Sequence, residues 1–205
     1  MKVIKPIEVL RDTYTDVNTR DIAPLWSAAT TYGSSSTFDK VWITYQGTVY
    51  ESIKPNNLNN TPSSVSTWWR TITTLVNDDF ASETWNSATT YAAGTIVYYQ
   101  QSSTAWPKYY KSLQSSNLNK IPPDNLTGTT PYWLDLGYTN TSKLYDIETN
   151  TQTITTDELI TTFTARKSTN AGIFGAYGNR VLITAKSERN LYSVNDWITG
   201  SAIDS

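Results

Sequence analysis

Short runs of β-branched and aromatic residues, broken by Gly, Asn, Pro and Ser, recur along most of the chain. Val41-Trp42-Ile43-Thr44-Tyr45 is one such run, and Thr48-Val49-Tyr50-Glu51-Ser52-Ile53 is the next. Gln46-Gly47 between them predicts a hairpin with a short turn. Thr95-Ile96-Val97-Tyr98-Tyr99 and Lys108-Tyr109-Tyr110-Lys111-Ser112-Leu113 predict a second hairpin. Its loop is lengthened by the insert 100–107, which carries Trp106. Polar Asn- and Pro-containing segments then lead to Trp68-Trp69 and to Tyr132-Trp133, each predicting a short third strand. No stretch has helical period over a useful length, so the pattern predicts an all-β chain.

The two hairpins belong to an internal repeat. Trp26-Ser27-Ala28-Ala29-Thr30-Thr31-Tyr32 returns as Trp85-Asn86-Ser87-Ala88-Thr89-Thr90-Tyr91, about 60 residues later. Val49-Tyr50-Glu51-Ser52-Ile53 returns as Tyr109-Tyr110-Lys111-Ser112-Leu113. Asn57-Leu58-Asn59-Asn60-Thr61-Pro62 returns as Asn117-Leu118-Asn119-Lys120-Ile121-Pro122. These three groups and the closing aromatic pairs, Trp68-Trp69 and Tyr132-Trp133, come in one order at nearly one spacing and mark two copies of one unit. Each unit has only about 45 residues, which is marginal for an independent core, so its aromatics must form much of that core.

The segment 1–23 contains Val3-Ile4 and Ile7-Glu8-Val9-Leu10 and then turns polar, which predicts an extended N-terminal arm. After the second copy, Leu159-Ile160-Thr161-Thr162-Phe163-Thr164-Ala165 and Asn179-Arg180-Val181-Leu182-Ile183-Thr184-Ala185 predict further strands, with Gly172, Gly175 and Gly178 as turns between them. The expected organisation is an arm (1–23), two small three-stranded aromatic-rich β-modules in tandem (24–75 and 83–138), and a C-terminal β-sandwich-like unit (139–205) that is incomplete or completed by a partner.

Composition narrows the chemistry. The chain has no Cys and no His, which excludes a disulfide framework and removes the usual neutral-pH general base and the commonest transition-metal ligand. The net charge is -2 with 17% charged residues, so there is no basic field of the kind nucleic acid needs. No run approaches the roughly 18 apolar residues of a membrane span, so membrane insertion is not expected. The start carries charge but no apolar core, so no signal peptide is readable. Polarity comes instead from Ser, Thr, Asn and Gln beside 8 Trp and 14 Tyr, a surface suited to sugars or protein partners.

Trp-x5-Tyr, a Tyr-x-Ser strand, Asn-x4-Pro and a closing aromatic pair resemble the small chitin- and cellulose-binding modules of carbohydrate-binding families five and twelve. The resemblance covers 24–73 and 83–137. The tandem arrangement, with Leu136-Gly137-Tyr138-Thr139-Asn140 and Tyr145-Asp146 after it, is similar to that of bacteriophage tail and other virion proteins. It implies a virion (tail) location, other phage tail proteins as partners, and bacterial surface polysaccharide as a ligand. A homo-oligomer is the default for such an assembly. The alternative is a secreted or cell-wall polysaccharide-binding module of a chitinase-like system. Two departures stand out. The first copy has a longer loop at Gly33 to Lys40, and the second has Tyr132-Trp133 in place of a Trp pair.

Trp26, Tyr32, Tyr50, Trp85, Tyr91 and Tyr110 are expected in the cores. Neighbouring strand residues point to opposite faces, so one of Trp68 and Trp69, and one of Tyr132 and Trp133, is expected inside and the other displayed. These four, with Trp106 on the insert, are the candidate carbohydrate or partner contacts. No catalytic residue, metal ligand or cofactor is expected. Asp78-Asp79, Glu83, Asp124, Asp135 and Asp146 lie in turns or linkers without the paired arrangement of a glycosidase, Arg166-Lys167 ends a strand, and no EF-hand loop is present. The chain is therefore expected not to be an enzyme. It is expected either to attach a virion to a glycan or to serve as a tail building block.

Overall fold

The computed structural model describes residues 14–17, 19–33, 41–76, 80–146, 151–155, 159–163, 181–186 and 193–198. The expected strands near Val3 and Ile7, the loop 34–40, Asp78-Asp79, Arg166-Lys167 and the three glycines 172, 175 and 178 lie outside the described residues. The chain divides into two compact units, Met1–Lys167 and Ser168–Ser205.

The architecture is all-β. Its strands are β1 (Tyr14–Val17), β2 (Thr31–Tyr32), β3 (Trp42–Tyr45), β4 (Thr48–Ser52), β5 (Asn57–Leu58), β6 (Trp69–Val76), β7 (Glu83–Thr84), β8 (Thr90–Tyr91), β9 (Ile96–Tyr99), β10 (Lys108–Ser112), β11 (Asn117–Leu118), β12 (Trp133–Tyr138), β13 (Thr161–Phe163), β14 (Val181–Lys186) and β15 (Ser193–Ile198). The two repeat segments build the same arrangement. In the first, the sheet runs β3-β4-β6, and β2 pairs with β5 beside it. In the second, the sheet runs β12-β10-β9-β7, and β8 pairs with β11.

The fourth strand, β7, was not expected. It pairs parallel to β9 through Glu83↔Val97 and Thr84↔Tyr98. Its counterpart in the first copy is a single parallel bridge, Leu25↔Thr44. In both copies the following Trp donates its backbone N–H to the hairpin strand, Trp26 to Thr44 and Trp85 to Tyr98, each at 2.9 Å. Gln46 and Gly47 both have positive φ, 49° and 76°, the twist that lets a two-residue turn close β3 on β4. The closing strands each carry a bulge, between Thr48 and Tyr50 on the β4–β6 pair and between Tyr109 and Tyr110 on the β10–β12 pair. In the second copy Gly137, with φ of 90°, absorbs it.

Both faces of each sheet are covered. On one face lies the copy's own cluster: Tyr32, Ile43, Tyr50 and Trp69 in the first, Tyr91, Val97, Tyr110 and Trp133 in the second. The opposite faces meet a spine made of 22–23 and 80–81. Ala23 and Phe80 pack on Trp42, Val49 and Ile72, while Ile22 and Ala81 lie with Ile96 and Tyr109. Ile22 bridges Ala81 in parallel, and strand alternation sends neighbouring residues toward different copies. The described end of the expected arm is therefore core. A unit of this size cannot bury enough surface alone, and the shared spine supplies a second layer to each.

The segment after the second copy continues the same unit rather than opening a new one. Thr139, Asn140, Thr141 and Ser142 are all buried. Asn140 Nδ2 donates to Arg20 O at 3.1 Å and to Ile154 O at 2.8 Å, and Ile154 N–H donates to Asn140 Oδ1 at 2.8 Å. Thr141 N–H donates to Asp21 Oδ1 at 2.7 Å, and Ser142 Oγ donates to Pro107 O at 3.2 Å. Tyr109 Oη donates to Asp21 O at 2.8 Å. This node ties 19–21 to the second hairpin and to 151–155, with every named polar group paired. Beyond it, β1 pairs antiparallel with β13, and within the second unit β14 pairs antiparallel with β15. The described strands of the C-terminal region thus lie in two-stranded antiparallel pairs.

Candidate functional site

In each copy an internal hydrogen-bond network holds the closing Trp. Ser52 Oγ donates to Lys54 O at 3.0 Å and accepts from Asn57 Nδ2 at 3.1 Å. Asn57 Nδ2 also reaches Trp68 O at 3.4 Å. Trp69 Nε1 donates to Asn60 O at 2.7 Å. The second copy repeats every step. Ser112 Oγ donates to Gln114 O at 3.0 Å and accepts from Asn117 Nδ2 at 3.1 Å. Asn117 Nδ2 reaches Tyr132 O at 3.2 Å, and Trp133 Nε1 donates to Lys120 O at 2.8 Å. The Tyr-x-Ser, Asn-x4-Pro and closing-Trp motifs are thus one structural device. Tyr32 and Tyr91 complete it, each accepting a backbone N–H through its hydroxyl, from Ser27 and Asn86. Each also packs edge-on against the closing Trp.

These contacts place the candidate residues. Trp69 and Trp133 are 2% and 1% exposed and belong to the cores. Trp68 and Tyr132 are half-buried and lie against the same clusters from outside. The structure brings one of each pair inward and leaves the other at the surface, so of these four rings only Trp68 and Tyr132 remain partly exposed. Trp106 is not a free anchor. Its ring stacks on Tyr145, with centroids 4.9 Å apart and planes 22° apart.

Two further rings per copy join the surface set, and the sequence reading missed them. Trp26 meets Tyr45 edge to face at 5.3 Å, and Trp85 meets Tyr99 at 5.5 Å. All four are half-buried. The signal was present in strand alternation: Tyr45 and Tyr99 share a face with Ile43 and Val97 but end their strands, so they sit at the rim of the cluster. Among the described residues the indole Nε1 atoms of Trp26 and Trp85 are enclosed yet have no hydrogen-bond partner, in both copies alike. Buried donors are normally paired, so the repetition of this exception at one position is notable.

Each rim also carries a cation. Lys54 Nζ lies 5.0 Å from the centroid of Trp68, and Lys120 Nζ lies 4.8 Å from that of Tyr132. The two lysines come from different repeat positions. Lys54 corresponds to Gln114, and Lys120 corresponds to Asn60. Acidic groups do not gather here. Glu51 is buried and paired with Arg70, and Asp135 pairs with Lys108 at 2.9 Å. Among the described residues no group of acidic side chains is arranged to hold a metal ion, and no helix is long and apolar enough to cross a membrane.

Burial pushes the Tyr110 hydroxyl up to about 12, with Asp135 nearby adding to the rise. Burial also raises Tyr91, partly offset by its hydrogen bond from the Asn86 backbone. Both phenols are held neutral as core groups, and neither is poised for proton transfer at neutral pH.

Comparison of the chain with protein-family models, curated proteins and solved structures finds no match. The functional reading therefore rests on the geometry above and on the sequence motifs.

Proposed function

We propose that this chain is a bacteriophage virion component, built into the tail, whose two aromatic-rich modules face outward to hold a bacterial surface polysaccharide. The observation that carries this reading is the duplicated rim: Trp26, Tyr45 and Trp68 in one copy, Trp85, Tyr99 and Tyr132 in the other, each set resting on its copy's aromatic core. The apolar face of a pyranose ring lies well on such rings, and the Asn, Gln and Ser groups of the surrounding loops suit its hydroxyls. The tail location rests on the sequence resemblance, and non-enzymatic action fits the absence of His, Cys and any paired-carboxylate motif in the chain.

The test is a titration of the full chain with chito-oligosaccharides and with purified bacterial surface polysaccharide, followed by Trp fluorescence. Saturable binding that weakens in Trp68→Ala or Tyr132→Ala is expected. These two variants replace rings outside the core, so they leave folding intact. A folded protein that responds to no glycan would overturn glycan attachment and leave a structural tail component, with the modules serving as assembly domains.

A further inference from the structure

Resting on the glycan-binding reading above, we infer that the glycan is anionic, its sugars stacking on Trp68 and Tyr132 and its negative groups pairing with Lys54 and Lys120. Each copy places one ammonium over the ring that stands outside the core, at nearly the same distance, 5.0 Å and 4.8 Å. The repeat cannot account for this by descent of one residue, because the lysines occupy different positions and the counterparts are the neutral Gln114 and Asn60. The network around the closing Trp does not need the charge either. Lys54 and Lys120 contribute backbone carbonyls to it, accepting from Ser52 Oγ and from Trp133 Nε1, and their side chains point elsewhere.

The charge is also unanswered among the described residues. Glu51 is committed to Arg70 and Asp135 to Lys108. Neither Lys54 nor Lys120 has an ion-pair partner among the described residues, although the chain as a whole is net negative at -2. A neutral sugar laid on either ring would have to displace the ammonium from it and would return only neutral hydroxyl acceptors for the lost cation–π contact. A sugar bearing a carboxylate or phosphate takes the ring face and keeps the ammonium paired.

The experiment uses the full chain with three probes of matched length at low salt: chitohexaose, which is neutral, a hexameric oligogalacturonate, and a sugar-phosphate oligomer. The variants are Lys54→Gln and Lys120→Asn, singly and together. Each residue introduced is the one the other copy carries at that position, so the fold already accommodates it. The expected result is tighter binding of a charged oligomer than of chitohexaose, falling about fivefold with each substitution and weakening as salt is raised, while chitohexaose binding changes little. The uronate and phosphate arms tell which anion is preferred. Equal or tighter binding of chitohexaose would overturn the anionic preference and leave the glycan reading standing. So would a charged-oligomer affinity that the double variant does not change. Failure of all three probes to bind the folded wild type would overturn both.

Discussion

Where the first copy has Glu51 opposite Arg70, the second has Lys111 opposite Leu134, in the same register of the same two strands. Glu51 is 1% exposed, accepts from Trp42 Nε1 at 3.4 Å and pairs with Arg70. Lys111 is half-buried and Leu134 is exposed. These positions share the sheet face that looks toward the spine. On the other face the copies hardly differ: Tyr32 and Tyr91, Tyr50 and Tyr110, Trp69 and Trp133, Ser52 and Ser112, Asn57 and Asn117 are equivalent in identity and in burial. The comparison separates what defines the module from what adapts it. The aromatic face and its hydrogen-bond network are the module. The opposite face is free to change in matched pairs, because its partner is different in each copy.

The strongest way to break this picture is to remove the closing Trp. Trp69→Ala and Trp133→Ala each delete a fully enclosed indole and its hydrogen bond to the Asn60 or Lys120 carbonyl. A loss of about 3–5 kcal/mol is expected for each in chemical denaturation. The two should be similar if the aromatic faces are equivalent. A large inequality would mean that one copy depends on the spine far more than the other.

How much of this could be read beforehand follows from which contacts are local. The hairpins were legible, because Gln46-Gly47 and the flanking alternation specify them within a few residues. The inward-outward split of Trp68-Trp69 and Tyr132-Trp133 followed from strand alternation, although which ring went inward did not. That choice is made by the Asn60 and Lys120 carbonyls, which the indoles reach across a loop. The spine was not legible. Ile22-Ala23 and Phe80-Ala81 are short and carry no periodicity, and they are buried only because two sheets close over them. The buried node at Thr139 to Ser142 was not legible either, because its partners Arg20, Asp21 and Pro107 are distant in sequence. The rim lysines were invisible as a pair, since they occupy unrelated repeat positions.

A second, smaller effect appears at alkaline pH. Tyr110 has its folded value pushed up to about 12, against about 10 in an unfolded chain. A raised folded value contributes stability that is fully present below the unfolded value and is lost as pH rises through the folded one. Stability should therefore fall between about pH 10 and about pH 12, as the unfolded chain ionises first. Tyr91 shifts in the same direction. Tyr110→Phe should flatten this alkaline fall in a series of urea midpoints. An unchanged alkaline slope in Tyr110→Phe would contradict the burial of that hydroxyl as the cause.

The smallest effect tests the one fault in the repeated network. In the first copy Asn60 Nδ2 donates to Asn57 Oδ1 at 2.9 Å. In the second, Lys120 stands at that position and offers no amide there, and among the described residues Asn117 Oδ1 is buried without a partner. An unmet buried acceptor costs about 1–3 kcal/mol, and the lysine recovers about 0.5–1 kcal/mol of it by lying over Tyr132. Lys120→Asn should therefore raise the melting temperature by up to about 10 °C, at about 2–4 °C for each kcal/mol gained in a chain of this size. Asn60→Lys should lower it by at least as much, since it creates the fault in a copy that lacks it. A protein that keeps a residue costing stability at one position, when its own first copy carries the better one, keeps it for something other than the fold. Opposite movement of stability and anionic-glycan affinity in Lys120→Asn would identify that use, and a parallel loss of both would return Lys120 to a structural role.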